Sequence, residues 1–491
     1  MVLRLAESVI FIIDSSIFGE NANFTGPRRI SHEYATIRGR PQNPISSDTA
    51  RVQQFEQLNM EKDPFISDLL AFVGRSPTPF HAAASMQARF FDHGFALLDE
   101  RHEWDLHAGG RYVVTRNGSS LIAFVVGRHA VTTNGIRVVG AHTDSPCLKV
   151  KPLADITHSP YLQLGVEVYG GALLNPWFDR DLSLAGRVTY RTSAGEIAST
   201  NIDFREPIAV IPSLAIHLDR DANKNRSINS EQHVSPVVLI RGNAEAGFLD
   251  LVKRQLLDEH PGRAADSVLA YELSLYDTQA PAIVGVNREF ITGARFDNLL
   301  SCYCGASALL DAGDDVSCML VCNDHEEVGS ASACGAQGPF LKSVLERITA
   351  NPEALTRALD RSLMVSADNA HAAHPNYADK HDARHRPVLN GGPAIKINAN
   401  QRYATNSQSA AVFQDLCAQA GVPVQTFVSR SDLACGSTIG PITASEIGIN
   451  TVDVGIPQWA MHSIRETAGS ADSHYLYLAL QEFFRLQTLP F

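Results

Sequence analysis

Ile136-Arg137-Val138-Val139-Gly140-Ala141-His142-Thr143-Asp144-Ser145-Pro146 is an apolar run that breaks off into groups able to bind a metal or move a proton. Residues 136–141 are short and apolar enough for a strand buried on both faces, as in a parallel sheet covered by helices. His142 and Asp144 then fall just past its carboxyl end, where open α/β sheets gather their sites. The same pattern recurs downstream. Val316 to Cys322 is a second buried run, ending at Asn323-Asp324-His325-Glu326-Glu327, and Leu363 to Ala367 is a third, ending at Asp368. Thr451-Val452-Asp453-Val454-Gly455 comes just before Met461-His462, and Asp297 heads a small-residue, apolar stretch to Asp311 that reads as a helix.

Upstream, Arg111 to Thr115 and Ser120 to Val126 read as strands, and Phe65 to Val73 has the spacing of an amphipathic helix. Between about 153 and 288 the texture changes to strand-like pieces: Leu162 to Tyr169, Leu184 to Thr192, Ile197 to Phe204, Ile208 to Ile211 and Val234 to Ile240. Gly170-Gly171 and Ala194-Gly195 separate them as turn signals. The expected plan is an α/β domain over 61–152 and 289–491, interrupted by a mainly β domain over 153–288. Residues 1–60 are expected to be a poorly ordered extension, because 20–59 are polar with scattered Gly, Pro, Ser and Arg. The apolar run Val9 to Ile13 is short and ends at Asp14, so it is not expected to serve as a secretory signal.

Composition excludes several classes. The 491 residues are 44% hydrophobic, enough for two cores. No window holds the roughly eighteen continuous apolar residues of a membrane helix. A formal net charge of -12 argues against a nucleic-acid surface. Eight cysteines in so long a chain are no disulfide framework; buried, reduced thiols are favoured over a zinc–cysteine site, and the cytosol is the expected compartment.

The metal-capable residues at strand ends are His142, Asp144, Glu326, Glu327, Asp368 and His462, with Asp297 at a helix head. Imidazole and carboxylate without thiolate suit zinc in a hydrolytic site. A two-zinc centre needs a carboxylate reaching both ions, about 3.5–4 Å apart, with further ligands on each. His142, Asp297, Glu327, Asp368 and His462 supply such a set. Asp144 is placed to accept the second N–H of His142, and Glu326, beside a ligand, is left to act as base. Each piece alone has an ordinary reading: His-x-Asp as surface chemistry, Glu-Glu as a solvated loop, Asp297 as a helix cap, His462 as a structural histidine. Their joint occurrence at strand ends outweighs these.

The chain closely resembles the aspartyl aminopeptidase family of zinc metallopeptidases over about residues 62–491. The likeness is carried by Ala141 to Pro146, Trp177-Phe178-Asp179-Arg180-Asp181-Leu182, Ala215-Ile216-His217-Leu218 and Arg295 to Leu299. It continues in Glu326 to Ser330, Ser366 to His371, His374 to Tyr377, Cys435 to Pro441 and Met461 to Glu466. The resemblance implies a zinc-aminopeptidase-like mixed sheet flanked by helices, an inserted β dimerisation domain, and dimers assembled into a dodecamer. It implies one zinc on His142, Asp297 and Asp368, a second on Asp297, Glu327 and His462, and Glu326 as base. It further implies that His217 reaches a neighbouring subunit's site to stabilise an oxyanion, its alternative being a structural histidine of the β domain. Lys396 matches a family lysine near the substrate side-chain pocket, where a cation would pair with an N-terminal Asp or Glu; by itself it reads as a solvated strand-edge lysine. The implied substrates are peptides with a free N-terminus.

Three competing readings remain: a relative preferring neutral N-terminal residues, another two-zinc hydrolase such as a deacylase or carboxypeptidase, and a catalytically silent assembly protein. The complete ligand set and Glu326 argue against the last.

Overall fold

The computed structural model describes residues 64–157, 160–241 and 247–490; the N-terminal extension expected over 1–60 lies outside the described residues. Four strands, three of which lead directly into metal-capable groups, lie side by side and parallel. Ser317–Asn323 pairs with Ile136–His142, that strand with Leu363–Ala367, and Leu363–Ala367 with Asn450–Gly455. Their carboxyl ends therefore open on one edge of the sheet. Further strands extend it on both sides to nine: Ser120–Val125, Arg111–Arg116 and Ala96–Leu97 beyond Ser317–Asn323, and Ala394–Ile397 and Gln425–Val428 beyond Asn450–Gly455, with Ser120–Val125 and Ala394–Ile397 antiparallel to the central strands they join.

Every residue of Ile136–His142, Ser317–Asn323 and Leu363–Ala367 is buried, which explains why they read as continuous apolar runs rather than alternating ones. Side chains still alternate between faces. Val139, Ala141, Leu320 and Val365 join a core with helices Phe296–Leu310, Ser407–Gln419 and Asp472–Arg485. Val138, Met319, Val321 and Met364 join another with Phe340–Ile348, Pro352–Asp360 and Ile439–Ile447. Truncating such a residue, Leu320 for example, costs about 2–5 kcal/mol. Arg137 is the exception on this strand. It is fully buried and donates to the main-chain carbonyls of Asn134, Leu486 and Gln487 at 2.9, 2.9 and 3.1 Å, tying down the chain's C-terminal segment.

Ile197–Asp203, Leu182–Thr192, Ala265–Asp277, Cys147–Ile156, Tyr161–Tyr169 and Val237–Ile240 form, in that order, a six-stranded antiparallel sheet. Helix Phe248–Glu259 covers it through Phe248, Val252 and Leu256. Two expectations differ here. Ile208 to Ile211 makes only isolated bridges, Leu182 to Ala209 and Val210 to Val237, because Pro207 and Pro212 bracket it and supply no ladder N–H. Likewise the strand expected from Val234 starts at Val237, after Pro236. The 13-residue strand Ala265–Asp277 escaped the reading altogether. It pairs along all of Leu182–Thr192 with two register shifts, which scramble the alternation a strand reading depends on. A small third sheet joins Ala282–Val284, Phe290–Gly293, Glu466–Gly469, Pro457–Trp459 and Ala370–His371.

No helix among the described residues is long and apolar enough to cross a membrane.

Candidate metal centre

His142 ends its strand with the side chain buried, and its Nδ1 lies 3.0 Å from the main-chain carbonyl of Asp144. A carbonyl only accepts, so Nδ1 carries the proton and Nε2 presents a lone pair. That nitrogen faces Asp297 Oδ1 at 3.2 Å and Asp368 Oδ1 at 3.6 Å. His462 repeats the arrangement from a loop: Nδ1 is 3.2 Å from the carbonyl of Gly171, and Nε2 faces Glu327 Oε1 at 3.3 Å and Asp297 Oδ2 at 3.6 Å. Asp297 thus turns one oxygen toward each histidine.

Groups facing one another in this way close on a cation, either a proton on each Nε2 or a metal ion. Asp297 Oδ1 and Glu327 Oε1 are, moreover, buried with no hydrogen-bond donor. One atom each from His142, Asp297 and Asp368 lie within 4.8 Å of one another, as do one each from Asp297, Glu327 and His462. The donor set of imidazole nitrogen and carboxylate oxygen fits zinc with positions left for water. Electrostatics agree. Burial opposes a charge on His142, yet Asp144, Asp297 and Asp368 raise it well above its usual range. His462, opposed by burial, is carried up to about 11 by Asp297 and Glu327. Burial pushes Glu326 up to about 8, aided by Asp368, Glu327 and Asp297, and pushes Glu327 up to about 7. Burial opposes a charge on Asp297 too, yet His142 and His462 hold its carboxyl well below the usual range; a metal bound among these groups would replace the protons on the two imidazoles and release them.

Asp297 sits in the irregular first turn of its helix, with non-helical backbone at Asp297 and Asn298. Arg295, not Asp297, occupies the N-cap position and its side chain makes no cap bond, so the capping alternative does not describe Asp297. Its N–H donates to Glu466 Oε2 at 3.1 Å, and the N–H of His462 donates to Glu466 Oε1 at 2.7 Å. Glu466 thereby aligns two members of the cluster, and burial raises it to about 8. Glu326 and Glu327 open a single turn of 3₁₀ helix. Their N–H groups donate to Asp144 Oδ1 and Oδ2, both at 3.1 Å, and Tyr169 Oη donates to Asp144 Oδ2 at 2.7 Å. The Asp144 carboxylate is 3.5 Å from His142 Nδ1, so its main work is to hold the turn that carries the two glutamates, while its own carbonyl orients the imidazole.

Tyr169 and Gly171 went unread as site residues. They belong to the end of the β-sheet strand Tyr161–Tyr169 and the turn after it. A Cβ on Gly170 would meet Glu327 Cβ at 3.1 Å, and one on Gly171 would meet His462 Nδ1 at 3.3 Å. The Gly170-Gly171 pair was legible as a turn, but nothing local shows what that turn touches.

Lys396 is buried rather than solvated; its Nζ donates to Asp368 Oδ2 at 3.2 Å. With His142, Asp297, Glu326, Glu327, Asp368 and His462 it lines one cavity of about 310 Å³. His217 is not brought to this cavity within its own chain. It lies exposed on a turn, flanked by Leu214, Ile216 and Leu218, which are 60, 48 and 75% exposed.

Residues 72–484 match the model of the aminopeptidase I zinc metalloprotease (M18) family. A probable M18 family aminopeptidase 2 of Ectopseudomonas mendocina is 58% identical over 430 residues, covering 87% of this chain and all of the relative. Its counterpart from Pseudomonas aeruginosa is 60% identical over 423 residues, covering 86% and 98%. Among solved structures, the chain in an Ape4–Nbr1 complex superposes with a TM-score of 0.83 at 37% identity, covering 87% of this chain and 86% of that one. An mApe1 dodecamer from S. cerevisiae gives 0.76 at 28%, covering 87% and 97%. The chain belongs to the M18 family of zinc metalloproteases, and is an aminopeptidase.

Proposed function

We propose that the chain is a two-zinc aminopeptidase that removes Asp or Glu from free peptide N-termini. The observation that carries this reading is Asp297, whose two oxygens face two separate imidazole lone pairs, 3.2 Å from His142 and 3.6 Å from His462. His142, Asp297 and Asp368 would hold one ion; Asp297, Glu327 and His462 the other. Bound there, zinc supplies a Lewis acid and a water acidic enough to be deprotonated near neutral pH.

The chain's own groups do the rest. Glu326 lines the cavity but belongs to neither ligand set, and its raised pKa suits taking a proton from the attacking water and passing it to the leaving amine. Asp144 and Tyr169 hold the turn that aims it. Lys396 brings a buried cation to the same cavity, which favours an acidic side chain at the substrate's N-terminal position. His217, exposed amid apolar neighbours, suits donation into the site of a neighbouring copy, where it stabilises the oxyanion. Contact through the inserted β domain, residues 153–288, and assembly of dimers into a dodecamer fit that exposure and the dodecameric relative. The eight cysteines are unpaired, in keeping with a reducing cytosol.

A panel of aminoacyl substrates, free and N-terminally blocked, with and without chelator, tests the reading. Highest kcat/KM on free Asp and Glu substrates, abolished by chelation, is the expected result. Preference for Leu or Ala substrates would overturn the acidic specificity, and turnover of blocked peptides would overturn the aminopeptidase mechanism.

A further inference from the structure

Cys302, Cys304, Cys318, Cys322 and Cys417 are buried in the apolar core, as the sequence leads one to expect. Cys334 is not among apolar neighbours. Its Sγ lies 3.6 Å from His325 Nδ1 and 3.6 Å from Ser332 Oγ, and Asp324 Oδ2 lies 3.5 Å from His325 Nε2. One donor atom each from Asp324, His325 and Cys334 fall within 4.8 Å of one another. We propose that Asp324, His325 and Cys334 form a further metal position, distinct from the imidazole–carboxylate centre, that takes a thiophilic divalent ion such as zinc.

The sulfur–nitrogen spacing suits tetrahedral zinc, with Asp324 within 4.8 Å of both donors. Zn–S near 2.3 Å and Zn–N near 2.0–2.1 Å put sulfur and nitrogen about 3.5 Å apart, and His325 Nδ1 and Cys334 Sγ are 3.6 Å apart. Mixed sulfur, nitrogen and oxygen donors select zinc or cobalt over calcium or magnesium. The parts are also prearranged. Ser120 Oγ donates to the Cys334 carbonyl and accepts from the Asp324 N–H at 2.8 Å, and Asn323 Nδ2 donates to the Cys334 carbonyl at 3.0 Å. Both ends of the 324–334 segment are thus pinned to one point. The His325 side chain is 27% exposed, which leaves a route from solvent. On binding, the Cys334 thiol gives its proton to solvent as the S–metal bond forms, and His325 exchanges its 2.9 Å contact with Ser332 Oγ for the ion. The segment so closed carries Glu326 and Glu327, so the ion would staple the loop that presents both.

Cobalt(II) is the probe. Full-length protein is stripped with chelator and reloaded, and the near-ultraviolet thiolate-to-cobalt charge-transfer band is read; a centre built only of imidazole and carboxylate gives none. The expected result is a band in the wild type that survives in Asp297→Ala and vanishes in Cys334→Ser. His325→Asn, which keeps the thiol, covers a Cys334 variant that fails to fold, and should weaken cobalt affinity read from the band at least about tenfold. No band at saturating cobalt, a band lost with Asp297→Ala, or one unchanged in Cys334→Ser and His325→Asn would overturn the proposal. Because Asp297→Ala keeps this position and removes the other, failure here is separable from failure of the two-zinc reading.

Discussion

The two halves of the cluster are chemically alike and mechanically different. His142 ends, and Asp368 follows, one of two adjacent parallel strands, and their side chains are 2% and 12% exposed. His462 stands on a loop in the left-handed region, φ 68°, with its side chain 30% exposed, and Glu327 rides a single 3₁₀ turn. One half is fixed by the sheet. The other is assembled from loops and leans on the β sheet through Gly171 and, by way of Asp144, on Tyr169. Equal donor sets on unequal supports should hold their ions with unequal tenacity, because ligand orientation by surrounding groups contributes about 10–100-fold in metal affinity.

Removing what the halves share should have the largest effect. Asp297→Ala should lose both ions together and with them all measurable turnover; metal analysis by mass spectrometry decides, and two ions retained would end the bridging assignment. Next comes Glu326→Gln, which leaves every proposed ligand in place and should lower kcat by about 10²–10⁴-fold with metal content unchanged. A variant holding at least half of wild-type kcat would remove Glu326 as base.

His217→Ala should lower kcat by about 10²–10³-fold, and mixing its subunits with Glu326→Gln subunits under exchange conditions should restore part of the activity. No restoration would place His217 within its own chain. The contrast between the halves is sharpened by timed dialysis against chelator, in which the ion of His462 and Glu327 should leave about 10–100-fold faster than that of His142 and Asp368. Equal rates would show that burial does not differentiate them. The smallest change is Tyr169→Phe. It deletes one hydrogen bond to a buried carboxylate, about 1.5–3 kcal/mol, and should weaken metal retention on the Glu327 side while sparing the His142 side.

How much was legible follows the same division. Buried parallel strands have continuous apolar sequences, so Ile136–His142, Ser317–Asn323 and Leu363–Ala367 stood out, and whatever follows such a strand lies on the edge where sites form. That is why His142, Glu326, Glu327 and Asp368 could be named from one chain. His462, just after Thr451–Gly455, and Asp297, at a helix head, were named in the same list, but they gained weight only from the joint pattern, since a histidine in a loop and an aspartate at a helix head have no periodicity to mark them. Ala265–Asp277 hid because its register shifts break the alternation by which a strand is recognised.

By itself, the sequence determined the α/β class, the metal-capable residues and the absence of a disulfide framework, because strand burial and donor chemistry are local properties of a segment. Only the tertiary structure decided that Tyr169, Gly171 and Glu466 brace the cluster and that Lys396 is buried against Asp368. It alone set Cys334 beside His325 and apart from the apolar thiols. All but the last, which closes within one loop, bring together segments distant in the chain, and such contacts depend on how strands and turns stack, which no residue's own chemistry specifies.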